Sequence, residues 1–412
     1  MKKGLWILFS IILLALVSLT ATYFIRKHKA DQQLVALNSK EIISISIDDI
    51  LLDNLSQVFK SQDSRDQDSS DYLQLKDILN SGLAIPAKIY LFALDEYPGN
   101  LYSIQRLKDS VKWQKFWTSY APNSSHLTAV TDQDFVLFRM SLKASESIQD
   151  MQNIFSGKKQ WTQLKNVNFV HPKEKSHIDY SRKDESLNLS AQIKDQNVKI
   201  SGTYSLAQEI PQIEPTQTRI SPFTENTFLS FWNALPLKEI PWMTSALNKF
   251  AAIDTDLLAQ NANYCDLFIS EQTTTQTDTI VAYEYDDDFN SIETKQVQQI
   301  SVPIIQSAWK GSQELETILP ETLFYKFYKQ SFKDIYYLST DTLSRKKTVW
   351  NAHNSSLGLA INFDKLPQAW QNGILSILKN KQTKISIQGK LVDNKKIELQ
   401  GEIQYQHESI AP

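Results

Sequence analysis

The sequence predicts an α+β protein: an N-terminal transmembrane helix followed by two similar domains of mainly antiparallel sheet with helices on one face. Three observations predict it. The run from Gly4 to Phe24 carries no charge over about 21 residues, enough helix to cross roughly 30 Å of hydrocarbon. Apolar and polar residues alternate from Leu187 to Leu206 and again from Lys384 to Tyr405, the period of a half-buried strand. Between such stretches apolar residues recur at helical spacing, as in SIQRLKDSVKWQKFWTSY and ETLFYKFYKQSF.

The first element is the apolar run itself. Lys2 and Lys3 precede it, and Arg26, Lys27 and Lys29 close it. Trp6, Tyr23 and Phe24 stand where interfacial aromatics anchor a span. Val17 to Ala21 makes a poor cleavage site because Leu19 takes the small-residue position, so the segment is expected to remain as an anchor. Short N-terminal tails stay in the cytoplasm as a rule. The expected location is therefore the bacterial inner membrane, single-pass, with the C-terminal bulk periplasmic.

The expected boundaries follow the composition. Residues 1–30 form the anchor and its flanks, 31–40 a polar stalk, and 41–207 a first domain. Residues 208–223, with Pro211, Pro215 and Pro222, form a linker that interrupts any ladder. Residues 224–408 form a second domain, read as a repeat of the first.

Within the first domain, IISIS alternates as a strand and feeds a helix through Ile50, Leu51, Leu55 and Phe59, with Asp48 or Asp49 as its N-cap. A polar loop, Ser61 to Asp71, leads to a short helix closed by Gly82. KIYLFAL, the helix SIQRLKDSVKWQKFWTSY, DFVLFRMSL, a helix near Ser145 to Phe155 and the hairpin Leu187 to Leu206 follow.

The second domain repeats the sequence of patterns. TFLSFWN runs into a helix at NALPLKEI, then come strands at CDLFIS, TIVAYEY and QVQQISVPII. The helix ETLFYKFYKQSF precedes DIYYLSTD, as a helix precedes KIYLFAL, and GLAINFD and KLPQAWQNGILSIL lead into the closing hairpin. The apolar run, TFLSFWN, GLAINFD and the paired hairpins resemble membrane-anchored bacterial envelope proteins of unknown function with repeated α+β ectodomains. The resemblance implies a location and an architecture and carries no catalytic residue.

Composition excludes several classes. A net charge of -3 offers no basic field for nucleic acid. Neither GxGxxG nor GxxxxGK[ST] occurs, and no cofactor is expected. The single Cys265 forms no intramolecular disulfide and reads as a small buried hydrophobe on a strand. His171 and His177 lack the HExxH spacing of a zinc site.

Two sets of residues remain as candidates. Asp66, Asp68, Ser70 and Asp77 are the best Ca²⁺ ligands the chain offers. Asp71 stands where an EF-hand turn needs Gly, and Asp77 replaces its bidentate Glu, so a solvated capping loop is the favoured reading. Trp113, Phe116, Trp117 and Tyr120, and then Phe324, Tyr325, Phe327 and Tyr328, form aromatic clusters that suit core packing. Of these, Trp113, Trp117, Tyr325 and Tyr328 are the candidates for binding a partner or stacking on wall sugars. The expectation is a membrane-tethered, non-enzymatic ectodomain that binds an envelope protein or polysaccharide. The alternative is an envelope hydrolase or transferase with a site formed between its two domains.

Overall fold

The computed structural model describes residues 21–30, 32–54, 75–120, 126–141, 147–157, 160–170, 176–184, 186–210, 217–219, 225–240, 254–285, 291–342, 351–353, 355–371 and 373–406. The protein is mostly β, with 49% strand against 23% helix, which overturns the expected α+β class. Two features account for the difference. Segments with helical spacing take other forms: of SIQRLKDSVKWQKFWTSY only Ser110–Tyr120 is helical, and 103–106 belongs to a strand. TIVAYEY and QVQQISVPII, read as separate strands, lie inside strands of 24 and 21 residues.

No helix among the described residues is long and apolar enough to cross a membrane. The expected span at residues 4–24 lies outside the described residues up to Thr20, and 21–30 are helical. Arg26 and Lys27, read as membrane-flanking cations, pair with carboxylates of the helix Ile47–Asp53. Arg26 forks onto Asp48 at 2.8 and 2.9 Å, and Lys27 lies 3.8 Å from Asp49. Those two aspartates are therefore ion-pair partners in the first turn. The expected N-cap role falls instead to Ser46, whose side chain makes no capping bond.

The chain divides into two compact units, residues 1–195 and 196–412. The division falls between Asp195 and Gln196, not in the Pro-containing stretch 208–223. Asp195 turns the chain there at φ 54, a left-handed conformation that Asp tolerates better than most residues.

The first unit holds β1 (Leu34–Ala36), β2 (Glu41–Ser46), β3 (Lys88–Ala93), β4 (Asn100–Arg106), β5 (Leu127–Thr131), β6 (Phe135–Ser141), β7 (Trp161–Gln163), β8 (Ile178–Arg182) and β9 (Leu187–Lys194). Its main sheet runs β5-β6-β4-β3-β2-β8-β9, antiparallel throughout, and β1 pairs separately with β7. The expected stalk is thus a packed strand, with Val35 fully buried. Its core gathers Ile42, Tyr90, Phe92, Tyr102, Leu137 and Met151.

In β2 the serines are the more buried residues, although the alternation reads as isoleucines facing a core. Ser44 and Ser46 are both 1% exposed. For Ser44 the reason is Asp179 on the neighbouring β8, a buried carboxylate that draws in hydroxyls from Ser176 at 2.5 Å, Ser190 at 2.8 Å and Ser44 at 3.4 Å. A buried charge needs donors, and hydroxyls on adjacent strands supply them.

The second unit holds β10 (Asn197–Ser205), β11 (Gln217–Arg219), β12 (Thr227–Asn233), β13 (Ala262–Tyr285), β14 (Ser291–Gly311), β15 (Tyr328–Phe332), β16 (Ile335–Ser339), β17 (Asn351–His353), β18 (Leu357–Asn362), β19 (Lys384–Leu391) and β20 (Lys396–Gln404). Its main sheet runs β15-β16-β14-β13-β12-β18-β19-β20-β10, and β11 pairs separately with β17. The first seven positions repeat the order of the first unit strand for strand. Leu235, Leu237, Leu258, Trp309, Leu315 and Ile397 are central to its core. Where β12 meets β18, Trp232 lies across Gly358, and an added Cβ would sit 2.2 Å from the indole. Only glycine admits the ring there.

Candidate functional site

The residues singled out from the sequence do not converge. Asp66, Asp68 and Ser70 lie outside the described residues, and Asp77 is a half-buried residue of the helix Leu75–Asn80. Among the described residues no group of His, Cys, Asp or Glu is placed to hold a metal ion. Trp113 is 2% exposed, stacks on Trp117 at 5.3 Å and meets Phe138 edge-on at 5.5 Å. This cluster is core packing.

The second aromatic cluster is not helical. Residues 321–332 contain a bridge between Thr322 and Lys326 and the strand β15, which puts Phe327 inside and leaves Phe324 79% exposed. The Tyr325 hydroxyl accepts from Trp370 Nε1 at 3.2 Å, and the Lys326 ammonium lies over the Tyr328 ring at 5.6 Å. Tyr325 and Tyr328 thus face different neighbours.

Several buried polar groups in the first unit bond to one another. His177 donates from Nε2 to Asp53 at 3.1 Å and accepts the Ile193 N–H at Nδ1 at 2.8 Å, so both ring nitrogens are occupied and neither serves a serine. Arg139 donates to Asp150 at 2.8 Å, to the Ser147 carbonyl and to Thr128. Tyr102 donates to the other Asp150 oxygen at 2.5 Å, and burial together with that bond pushes its phenol well above the ordinary range. These are clamps on a core.

The feature without a packing explanation is the distal part of β13 and β14. From Thr273 opposite Pro303 to Tyr285 opposite Ser291 the two strands pair in continuous register. At the strand rise this is a ribbon about 40 Å long. β12 accompanies β13 only as far as Ser270, and β16 accompanies β14 only from Gln306. Beyond those points, among the described strands, each ribbon strand pairs only with the other. Thr275, Thr277, Asp278, Thr279 and Lys295 to Gln299 are exposed, and Val297 is 69% exposed.

The root of the ribbon is held firmly. The register shifts between Ile269 and Thr273, a bulge that re-aims the strands. Gln276, buried, donates to the carbonyls of Lys326 and Thr340 at 2.8 and 2.7 Å and accepts the Lys326 N–H at 3.0 Å. The Thr340 hydroxyl enters the edge of β14, donating to the Pro303 carbonyl at 2.7 Å and accepting the Ile305 N–H at 2.9 Å. Thr274 reaches Asp341 at 3.2 Å. The arm is therefore anchored at its base and, among the described strands, unpaired along both outer edges, where alternate residues present an N–H and a C=O outward.

Sequence reading missed this site because TIVAYEY and QVQQISVPII read as separate strands and not as parts of one long hairpin. The signal that was present is TTTQTDT facing QVQQ, alternating β-formers with no apolar face to bury. Comparison with family models, with curated proteins and with solved structures finds no match to this chain.

Proposed function

We propose that this chain is a membrane-tethered, non-enzymatic ectodomain of the bacterial envelope that binds an extended segment of a protein partner along the β13–β14 ribbon. One observation carries the reading: a two-stranded arm, fixed at its root, whose outer edges are unclaimed by other described strands over residues 273–285 and 291–303. An extended peptide adds to such an edge by main-chain hydrogen bonds, and alternate side chains supply selectivity. Asp278 and Lys295 on the exposed part disfavour indiscriminate edge pairing, as charges on natural edge strands do.

The uncharged run Gly4 to Phe24 between clusters of cations supports the tether, with the bulk of the chain in the periplasm. A tandem duplication accounts for the strand order that both units share, and the arm is then an elaboration of the second copy.

The test is photo-crosslinking in the cells that carry the protein, with a crosslinking side chain placed in turn at 275, 277, 279, 297 and 299 of the full chain. The expected result is one adduct of constant mass at ribbon positions and none at the exposed Val111. Equal adduct formation at Val111 and along the ribbon would sink the reading.

A further inference from the structure

The first unit has a groove at the connection whose counterpart in the second unit is the ribbon. It measures about 160 Å³, small beside the roughly 300–1,000 Å³ of drug-sized ligand sites, and the size suits one ring. Its floor is apolar: Ala36, Leu94 and Ile154 are 5%, 5% and 8% exposed. Tyr97 and Trp161, both half-buried, contribute aromatic surface to its lining. Asn38, Glu96 and Asn153 stand exposed at its rim.

These polar groups are already oriented. Asn38 donates to Glu96 Oε1 at 3.1 Å, which turns the other carboxylate oxygen to a second donor. Asn153 accepts from Gln149 at 3.1 Å and donates to the Tyr97 hydroxyl at 3.0 Å, which leaves the phenol its own proton to give. Trp161 is fixed by its Nε1 bond to the Ile154 carbonyl at 3.1 Å and by edge contact with Phe135 at 5.7 Å. Held side chains lose little freedom when a ligand arrives.

We infer that this groove binds one neutral pyranose ring of an envelope polysaccharide. Aromatic surface covers the C–H face of a sugar, and a carboxylate with neighbouring amides and a phenol matches adjacent hydroxyls, which both donate and accept. The charges select against acidic sugars: Lys40 is already paired with the neighbouring Asp95 at 2.9 Å, and Glu96 remains as the rim's net charge. This site is independent of the ribbon, so the failure of either reading leaves the other standing.

The experiment is saturation-transfer difference NMR on the full chain in a detergent without a sugar headgroup. The probes are N-acetylchitotriose, maltotriose and, as the acidic control, trigalacturonate. A neutral trisaccharide is expected to bind in the millimolar range, about -4 kcal/mol at 1 mM. Transfer should disappear in Tyr97→Ala. In Glu96→Gln, which keeps the acceptor for Asn38 at an exposed position and so spares the fold, affinity should fall roughly tenfold, the loss expected for one charge-assisted bond. No transfer from any neutral probe at about ten times that concentration, transfer unchanged in both variants, or stronger transfer from trigalacturonate would each overturn the proposal.

Discussion

The β3–β4 connection and the β13–β14 connection occupy the same position in two identical strand orders, yet they are built for different ends. β3 and β4 have 6 and 7 residues, and Tyr90, Phe92, Tyr102 and Ile104 on them are almost wholly buried. β13 and β14 have 24 and 21 residues, and among the residues with described side chains the buried ones lie near the root, Cys265, Phe268, Gln276, Val302, Ala308 and Trp309 among them. The lesson is that the sheet needs about six residues of each strand. Beyond the root of the second hairpin, the residues with described side chains at 277–279 and 295–299 are exposed.

The largest effect expected from this comparison lies in the first unit. Arg139→Ala leaves Asp150 buried without its cation, a loss of about 3–5 kcal/mol when one member of a buried pair is removed. Hydrogen exchange followed by mass spectrometry should show protection falling across residues 88–141 while the strands β12 to β20 keep theirs. Equal loss in both units would break the comparison, because the two would then unfold as one body.

A smaller effect is expected in the second unit. Gly358→Val drives a branched side chain into the Trp232 ring and should cost about 1–3 kcal/mol, the usual range for overpacking. Cys265 provides the readout. It lies in the same core at 2% exposed, and burial, aided by the adjacent Asp266, pushes its thiol well above the ordinary value. In the native chain it should resist alkylation at pH 8, and in Gly358→Val it should react faster in proportion to the opening of that unit.

Acid should touch both units mildly and on the same side. Asp109 sits below the usual carboxylate range because it accepts the backbone N–H groups of Lys112 and Val111 at the start of the helix Ser110–Tyr120. Glu402, on β20, sits below it because Asn197 on β10 and then Gln404 donate to it. Both folded values lie under the unfolded ones, about 3.9 for Asp and 4.3 for Glu, so the stability they contribute is complete above those values. It is lost as pH falls through the depressed folded values. Urea midpoints measured from pH 6 to pH 3 should fall less steeply in Asp109→Asn and in Glu402→Gln than in the parent.

How much of this was legible depended on whether local pattern and tertiary partner agreed. The closing hairpin β19–β20 shows in the sequence because alternation and burial coincide there: Ile385, Ile387, Ile397 and Leu399 are more buried than Lys384, Ser386, Lys396 and Glu398 between them. Residues 321–332 mislead because Phe324, Phe327 and Tyr328 have helical spacing, while the side chain of Gln276, some fifty residues away, takes up the backbone of Lys326 and fixes a bridge instead. The buried Ser44 of β2 misleads for the same reason: its partner is Asp179, which no local window contains. The ribbon was hidden because a strand with no core to face has no apolar period. The groove was hidden because its lining comes from three separated stretches, 36–38, 94–97 and 153–161.

The smallest stability effect should come from the largest deletion. Replacing 278–298 by Asn-Gly keeps Gln276, Pro303 and the Thr340 clamp and closes the hairpin opposite the pair Thr277 and Gln299 with a turn suited to two-residue connections. The excised residues with described side chains are exposed, so the free energy of unfolding from urea titration should change by no more than about 0.5 kcal/mol, as for surface changes away from packing. The same variant should lose the partner adduct formed at Thr275, because too little edge is left for a strand to add. A large loss of stability would mean that the distal ribbon packs into the fold, and the contrast with β3–β4 would fail. Retained stability with a retained adduct at Thr275 would move the binding surface to the root, onto the edge that Thr340 and Asp341 line.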